Sequence, residues 1–300
     1  MTPHVVICTA SNETYVLGAA AALVSAILNA PEAVDIRVYV LDGGMKERSW
    51  RKLQTSLERL PRPCEVIRLL PNMQTFAGLP QDWGSSVMTY ARLALPKMVD
   101  EERILYVDAD MIVQKPWREI WETDLGEAIV AAAPDIVTKT LADEKLDLEK
   151  FQLDPQASYF QAGLLLIDLC RWRDFGVSTK VLAYLCENPG HCRYWDQSAL
   201  NVVLYRLWKP LPMAWNTPAW WADQGRENCQ LDAPVLHFVG PHKPWLHGHD
   251  GNSSAVRFYG YVDRTRWKGW RPTSLRFACK MAKYRLGLAI AKARGLIKKD

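Results

Sequence analysis

Short apolar runs alternate along the chain with longer segments of helical periodicity. The predicted strands are His4–Thr9, Ile36–Leu41, Glu65–Leu69, the apolar residues of Arg103–Val113, Ala128–Ala133 and a buried strand within Tyr159–Leu169. The predicted helices are Tyr15–Leu28, Lys46–Arg59, Met88–Leu95 and a segment that opens with Trp195–Asn201. Strands that alternate with helices predict an α/β fold with a Rossmann-like, mostly parallel central sheet flanked by helices. Ligands of such folds bind beyond the carboxyl ends of the strands.

Two carboxylates interrupt the most apolar part of this pattern. The stretch Arg103–Val113 reads RILYVDADMIV, so that one residue separates Asp108 from Asp110. Side chains at positions i and i+2 of an extended segment point the same way, and both carboxylates can therefore face one pocket. Buried carboxylates are costly unless they are hydrogen-bonded or hold a cation, and hard oxygen ligands suit Mg²⁺ or Mn²⁺. A solvated turn after a strand explains the tripeptide equally well.

The composition is that of a globular protein, apart from its 13 tryptophans. No apolar run reaches the length of about 18 residues that a bilayer-spanning helix needs. The start, MTPHVVICTASNETY, lacks the basic region of a secretory signal, and we expect the chain to stay in the cytoplasm. The seven cysteines are scattered, without a C-x-x-C pair, which favours reduced thiols over a disulfide framework or a zinc ribbon.

The net charge of +4 is distributed unevenly between a body and a tail. From Arg264 onward the chain carries 12 Lys or Arg and one Asp, and the preceding residues carry a net charge of −7. A basic block at one end favours an attachment segment, and no nucleic-acid partner is expected. We predict a globular domain at residues 1–262 and a basic helical tail at residues 263–300.

An imperfect apolar stripe, flanked by Lys and Arg, runs along the predicted tail helix: Leu275, Ala278, Ala282, Leu286 and Ala289. This pattern suits an interfacial helix that lies peripherally on an anionic membrane surface. A helix docked on the body and an RNA-binding tail fit the same residues.

Several polar residues lie at the ends of predicted elements. Asn12 and Tyr15 follow the first strand, where no glycine-rich phosphate loop occurs, and helix capping or packing explains them as well. Arg92 is the one charge in an apolar segment, suited to a carboxylate or phosphate partner or to the surface. Asp135 ends a strand. Asp196 lies near the start of a helix, where a capping role is equally good.

Two later segments carry further candidates. Gln161, Ala162 and Gly163 are expected just before a buried strand, where small residues let a sugar or a backbone approach closely, although packing also explains them. Within Val235–Trp245, an imidazole can complete a metal shell and a lysine can neutralise phosphate. Four of the six histidines lie in this neighbourhood, and a separate zinc site is an alternative, although their spacing matches no closed tetrahedral pattern: His237, His242, His247 and His249.

Six segments occur together in the chain: SNETY, TYARL, LYVDAD, FQAGLLLI, DQSALN and HFVGPHKPW. In this combination and order, the sequence from Val5 to Trp245 resembles glycosyltransferase family 8. This family comprises retaining GT-A enzymes, among them bacterial lipopolysaccharide galactosyl- and glucosyltransferases and glycogenin. The most specific element is the His-x-x-Gly-x-x-Lys-Pro-Trp segment.

The resemblance implies roles for individual residues. Asp108, Asp110 and His237 would hold Mn²⁺, or Mg²⁺, which bridges the diphosphate of a UDP-hexose. Gly240 and Lys243 would contact that diphosphate. The nucleotide would lie against Asn12, Tyr15 and Ala109, with Thr9 and Ala162 completing the site. The donor sugar would be surrounded by Arg92, Asp135, Gln161, Asp196 and Gln197.

The resemblance also implies the reaction. A hexose, galactose or glucose, would pass with retention to a saccharide acceptor such as lipopolysaccharide or another glycolipid. The alternatives are a soluble sugar or polyol acceptor and a non-catalytic nucleotide-sugar-binding module. Gln197, rather than a strong nucleophile, would lie near the reacting face, which favours same-face substitution through a short-lived ion pair. Gln161 stands where the lipopolysaccharide galactosyltransferases have Asn, and the first loop is closer to that of glycogenin, so the hexose is left open.

The acceptor site is less well indicated by the sequence. The tryptophans of Trp215–Trp221 can stack on sugar rings, but core packing explains them equally well. A nucleotidyltransferase that makes nucleotide sugars would be expected to have a glycine-rich loop after the first strand, and this chain has none there.

Overall fold

The computed structural model describes residues 4–80, 87–144, 146–226, 228–240, 243–247 and 252–272. The strands in these ranges are β1 (His4–Ser11), β2 (Asp35–Asp42), β3 (Glu65–Leu69), β4 (Arg103–Val107), β5 (Met111–Val113), β6 (Val130–Pro134), β7 (Phe160–Asp168), β8 (Trp208–Pro210), β9 (Thr217–Pro218) and β10 (Val235–His237). The α-helices are α1 (Val16–Leu28), α2 (Glu47–Glu58), α3 (Arg118–Trp121), α4 (Leu169–Phe175), α5 (Val177–Glu187), α6 (Asp196–Val203), α7 (Ala219–Asp223), α8 (Pro244–His247) and α9 (Ser253–Val262). Short 3₁₀ helices occur at Met73–Phe76, Val87–Lys97, Leu141–Asp143, Pro189–His191 and Met213–Asn216.

The central sheet has the strand order β3-β2-β1-β4-β7-β6-β8. Strand β7 is antiparallel to both of its neighbours, and all other adjacent pairs are parallel. The predicted α/β class with a mostly parallel sheet is therefore confirmed. Because β1 and β4 are parallel neighbours, the loops that follow them open at the same edge of the sheet.

Both faces of this sheet are buried. On β1, Val6 and Cys8 belong to one cluster of buried residues, whereas Val5 and Ile7 belong to another. Side chains of a strand alternate between faces, so the two clusters cover opposite sides of the sheet. A sheet covered on both sides favours continuous apolar strands over alternating ones, which is why the strands could be recognised from the sequence.

The prediction of one continuous strand within Arg103–Val113 was wrong, because two strands, β4 and β5, occupy this stretch. Strand β4 ends at Val107, and the chain turns so that the Met111 N–H donates to the Asp108 carbonyl at 3.3 Å. Strand β5 then joins a second, three-stranded sheet with the order β5-β10-β9. The two carboxylates thus face one pocket because they flank a turn between two sheets. They do not alternate along one extended strand.

Two further predictions are corrected by the structure. The segment predicted as a helix at Met88–Leu95 lies in a 3₁₀ helix, Val87–Lys97, that contains Pro96, a residue with no N–H to donate. Gln161 and Gly163 lie inside β7 and not before it. Their backbones are therefore held by the sheet.

The first part of the predicted tail packs on the body. The Arg266 N–H donates to the Ser56 Oγ at 2.8 Å, and the Lys52 ammonium lies 5.6 Å from the ring centroid of Trp267. The amphipathic stripe predicted within residues 273–300 lies outside the described residues, and the boundary at residue 262 stays a prediction. Within the part of the chain that the structure covers, no helix has both the length and the apolar character needed to cross a membrane.

Candidate active site

The three predicted metal ligands lie close together. Asp108, Asp110 and His237 each place one ligand atom within 4.8 Å of the others. Strands β5 and β10 pair antiparallel with Met111 opposite His237, so sheet pairing brings the imidazole to the carboxylates. The Phe238 N–H also donates to the Asp110 carbonyl at 2.8 Å. Two carboxylates and an imidazole form a donor set that fits Mn²⁺ or Mg²⁺.

The imidazole of His237 is oriented by a residue that the sequence-based prediction missed. The Asn216 amide nitrogen donates to the Gln161 Oε1, which leaves the amide oxygen to accept from the His237 Nδ1 at 2.8 Å. The His237 Nε2 then points at the Asp110 Oδ1, 3.2 Å away. A hydrogen bond of this kind fixes the tautomer of a metal-binding histidine. Asn216 lies among tryptophans and belongs to no motif, so no sequence signal marked it.

Gly163 lies directly beneath this imidazole. A Cβ atom at this position would lie 2.6 Å from the His237 Cε1 and 2.9 Å from the Met111 Cε. Contacts this short do not occur, so any larger residue would displace the imidazole or the strand. The small residues of β7 were expected to let a sugar or a backbone approach closely. At Gly163 the group that approaches is the His237 imidazole.

Lys243 is buried against the carboxylates. Its Nζ forms an ion pair with Asp110 and donates to the Phe238 carbonyl at 2.6 Å. Burial opposes ionisation of Asp110, but Lys243 and His237 outweigh it and hold the pKa of Asp110 well below its usual value. Burial raises the pKa of Asp108, which the nearby Arg92 opposes. A divalent cation between the two carboxylates would favour the ionised form of both.

Arg92 connects the carboxylate pair to the first turn of α6. The side chain is 4% exposed, which rules out the surface alternative. Its Nη2 lies 2.9 Å from the Asp108 Oδ1, and its Nε lies 3.0 Å from the Asp196 Oδ2. Its Nη1 also donates to the Ala162 carbonyl. One guanidinium thus forms ion pairs with two carboxylates that lie far apart in the sequence.

The first turn of α6 brings together the predicted sugar-site residues. Asp196 is the first helical residue, the N-cap position being Trp195, and its carboxylate also accepts from the Thr89 hydroxyl. The Gln197 Oε1 accepts from the Ala162 N–H at 3.0 Å, and its Nε2 donates to the Asp135 Oδ2 at 3.1 Å. Both ends of this amide are therefore held in place.

The loop after β1 lies on the other side of the carboxylates. The Asn12 Oδ1 accepts from the N–H groups of Thr14 and Tyr15 at 2.9 and 3.2 Å and so holds the turn before α1, whose N-cap residue, Tyr15, makes no side-chain cap. The Tyr15 ring packs edge-on against Trp245, with 5.5 Å between centroids. Burial and the nearby carboxylates of Asp110 and Asp108 raise the pKa of the Tyr15 hydroxyl.

Three other predicted residues lie along the same edge. Ala109 is 6% exposed in the turn between the two carboxylates. Thr9 is buried in β1, and its Oγ1 has no hydrogen-bond partner among the residues described. Gly240 follows β10 with a φ of 78°, a conformation that favours glycine.

The tryptophans near β9 separate into two kinds. Trp215 is 3% exposed, and its Nε1 donates to the Glu119 Oε1 at 3.0 Å, so this residue serves the core. Trp220 is 41% exposed on α7, which follows the residue that pairs with His237 in the second sheet. Of the predicted acceptor residues, Trp220 is therefore available for stacking.

The zinc alternative has no support in the described ranges. There, the one group of His, Cys, Asp or Glu close enough to hold a metal is Asp108, Asp110 and His237. His242 and His249 lie outside the described residues, as does the side chain of His247.

Known proteins with similar sequences are glycosyltransferases and a stress protein. A family model described as Glycosyl transferase family 8 matches residues 6–248. General stress protein A of Bacillus subtilis (strain 168) is 26% identical over 280 residues, which cover 88% of this chain and 94% of that protein. The lipopolysaccharide 1,2-glucosyltransferase of Escherichia coli (strain K12) is 22% identical over 241 residues, which cover 77% of this chain and 70% of that protein.

Solved structures share the fold. A crystal structure of the galactosyltransferase LgtC in complex with donor and acceptor sugar analogs matches with a TM-score of 0.73 at 25% identity. The match covers 90% of this chain and 99% of LgtC. The predicted GT-A architecture is thereby confirmed.

Proposed function

Because the chain belongs to glycosyltransferase family 8, we propose that it transfers a hexose, galactose or glucose, from a UDP-sugar to a saccharide acceptor with retention at the anomeric carbon. The observation that carries this proposal is the convergence of Asp108, Asp110 and His237 beside the buried Lys243. This arrangement suits a metal-bound diphosphate. It lies beyond the carboxyl end of β4, where ligands of such sheets bind.

The leaving group determines what the site must stabilise. Breakage of the bond between the anomeric carbon and the phosphate oxygen leaves negative charge on the diphosphate. A Mn²⁺ or Mg²⁺ ion held by the three ligands would act there as a Lewis acid. The Lys243 ammonium adds a fixed positive charge. The backbone of Gly240, which is close to Lys243 in the sequence, would also contact the diphosphate.

The donor sugar would lie between Arg92, Asp135, Gln161, Asp196 and Gln197. Gln197 is an amide with both ends hydrogen-bonded to the protein, so it is a poor nucleophile. This supports same-face substitution, in which the acceptor oxygen bonds to the anomeric carbon from the side that the phosphate leaves. The acceptor proton passes to the departing phosphate oxygen. After the bond to the phosphate breaks and before the bond to the acceptor forms, the oxocarbenium-like sugar and the diphosphate exist only as a short-lived ion pair.

The nucleotide would occupy the edge formed by the loops after β1 and β4. Asn12 and Tyr15 would lie against the uridine, and Ala109 would lie near the ribose. Thr9 and Ala162 would complete the site. The Thr9 hydroxyl, which has no hydrogen-bond partner among the residues described, and the nearness of Tyr15 to the carboxylates of Asp110 and Asp108 support this placement.

The acceptor proposed here is lipopolysaccharide or another glycolipid. The name of the Escherichia coli relative, a lipopolysaccharide glucosyltransferase, supports it, as does the basic tail. A soluble sugar or polyol is the second candidate for the acceptor.

UDP release from UDP-glucose, UDP-galactose and UDP-N-acetylglucosamine tests the proposed function, with Mn²⁺ or with EDTA. We expect one UDP-hexose to be turned over with Mn²⁺ and the rate to fall by at least about a hundredfold in EDTA. Transfer products from lipopolysaccharide fragments and from free disaccharides then separate the two acceptor classes. No UDP release and no heat of UDP binding with Mn²⁺ would favour a non-catalytic role.

The basic tail is proposed to hold the enzyme on the inner face of an anionic membrane. Sedimentation with vesicles of phosphatidylcholine, with and without phosphatidylglycerol, measures this. Each Lys or Arg near such a surface contributes about 1 kcal/mol. The triple variant K280Q/K283Q/R285Q is therefore expected to bind anionic vesicles about a hundredfold more weakly. Equal binding of wild type to both vesicle types at moderate salt would contradict the proposal.

A further inference from the structure

A buried carboxylate outside the proposed ligand contacts lies behind α6. Glu144 follows the 3₁₀ helix Leu141–Asp143 and is 6% exposed. The Ser198 Oγ donates to the Glu144 Oε1 at 2.6 Å and accepts from the Tyr194 N–H at 2.9 Å. Burial raises the pKa of Glu144, whereas Ser198, the Arg193 charge and nearby backbone N–H groups favour its charged form. The carboxylate is thus joined through Ser198 to the chain just before α6.

That part of the chain is strained. Trp195 has φ +53° and ψ −118°, a conformation that residues with bulky side chains rarely adopt. It makes no side-chain cap to α6, and Asp196 and Gln197 follow it directly. Strained residues persist only where the surrounding structure holds them, and they cluster at functional sites.

The segment that carries Glu144 also carries Asp135. The Asp135 Oδ1 accepts from the Thr138 N–H at 3.0 Å, and Thr140 forms a reciprocal capping box with Asp143, so the segment is held by its own hydrogen bonds. The same segment contacts two consecutive residues of α6. Asp135 accepts a hydrogen bond from the side chain of Gln197, and Glu144 accepts one from the side chain of Ser198.

We propose that Glu144 is a positioning residue for hexosyl transfer. Through Ser198, its carboxylate holds the turn at Trp195 and thereby sets the directions of Asp196 and Gln197. Glu144 itself does not touch the donor. The inference rests on the proposed function, because it assigns the sugar to the first turn of α6.

The test compares E144A and E144Q with wild type by kcat, by the KM for UDP-hexose, and by calorimetry of UDP and UDP-hexose with Mn²⁺. We expect kcat of E144A to fall about ten- to a hundredfold, because misplacement by about 1 Å has this effect. UDP affinity should stay within about twofold of wild type, since Asn12, Tyr15 and Ala109 lie on other loops. If wild type binds UDP-hexose more tightly than UDP, E144A should bind the two with equal affinity. E144Q retains an acceptor for Ser198 and should recover most of kcat.

Glu101 provides a matched control. It is 7% exposed and accepts from the Arg37 Nη1 at 2.7 Å and the Tyr39 hydroxyl at 2.9 Å, at the end of β4 away from the site. E101A should lower stability and leave kcat of the folded protein within about twofold of wild type. A kcat of E144A within about twofold of wild type would overturn the proposal, as would equal losses of UDP affinity and kcat.

Two further variants keep the test decisive if E144A does not fold. S198A removes only the linking hydroxyl, and a fall in its kcat supports the proposal whereas an unchanged kcat overturns it. W195G relieves the strain, so S198A should reduce kcat less in that background than in the presence of Trp195. Equal reductions in both backgrounds would overturn the inference. If wild type lacks both turnover and hexose-dependent affinity, the proposed function itself fails, and this inference fails with it.

Discussion

Substitution of Asp110 by alanine is expected to lower kcat/KM for the UDP-hexose by about a thousandfold or more. Asp110 lies next to both His237 and Lys243, so its loss removes a proposed metal ligand and leaves the buried ammonium without its carboxylate partner. UDP release measured across a Mn²⁺ titration separates the two effects. Weaker metal binding shifts the midpoint of the titration, and a disturbed Lys243 lowers the rate at saturating metal.

Asp232 is a suitable control because it is also an aspartate paired with a lysine, but an exposed one: its Oδ2 lies 3.8 Å from the Lys115 Nζ. D232A should retain full activity. Metal-dependent turnover in D110A equal to that of wild type would contradict the assignment of the metal site. The conservative variant D110N should also be strongly impaired, because an amide carries no charge for the cation or for Lys243.

Substitution of Arg92 by methionine is expected to lower the free energy of unfolding by about 3–5 kcal/mol. Arg92 is buried and pairs with both Asp108 and Asp196, so its removal leaves the buried Asp196 and the partly buried Asp108 without their shared cation. Methionine retains most of the side-chain volume, so the loss reflects charge more than packing. Denaturation in urea followed by circular dichroism measures the change.

The control for this prediction is Arg51, which is exposed and pairs with Glu47 one helical turn away. R51M should change the free energy of unfolding by less than about 1 kcal/mol, as is usual for surface pairs. Equal changes in R92M and R51M would show that the Arg92 pairs contribute little. R92K retains the charge, but one ammonium cannot span both carboxylates as the guanidinium fork does, so we expect an intermediate loss.

These two predictions share an electrostatic basis. Three buried or partly buried carboxylates, Asp108, Asp110 and Asp196, face two buried cations, Arg92 and Lys243. The protein groups alone therefore have one negative charge in excess. A divalent cation would turn this excess positive, and an anionic diphosphate would then be attracted. This balance would favour binding of the proposed metal and nucleotide together.

The sequence by itself determined the fold class and predicted the residues of the proposed metal site. The periods of strands and helices are local properties, so β1, α1 and β3 could be predicted to within a few residues from apolar spacing alone. Asp108 and Asp110 lie in one short motif, and the His-x-x-Gly-x-x-Lys-Pro-Trp segment supplied His237 and Lys243. Together with the other segments that resemble glycosyltransferase family 8, these residues led to the prediction of a metal-bound diphosphate without any coordinates.

The tertiary structure alone decided how these groups are held. The hydrogen bond between His237 and Asn216 joins residues 21 positions apart, and the contact between Ser198 and Glu144 joins residues 54 positions apart. The pairing of Arg92 with Asp196 and the split of the central strand between two sheets likewise depend on segments that meet only in the folded chain. Local periodicity carries no information about such partners, because they are chosen by the packing of distant elements and by the need to satisfy buried charges.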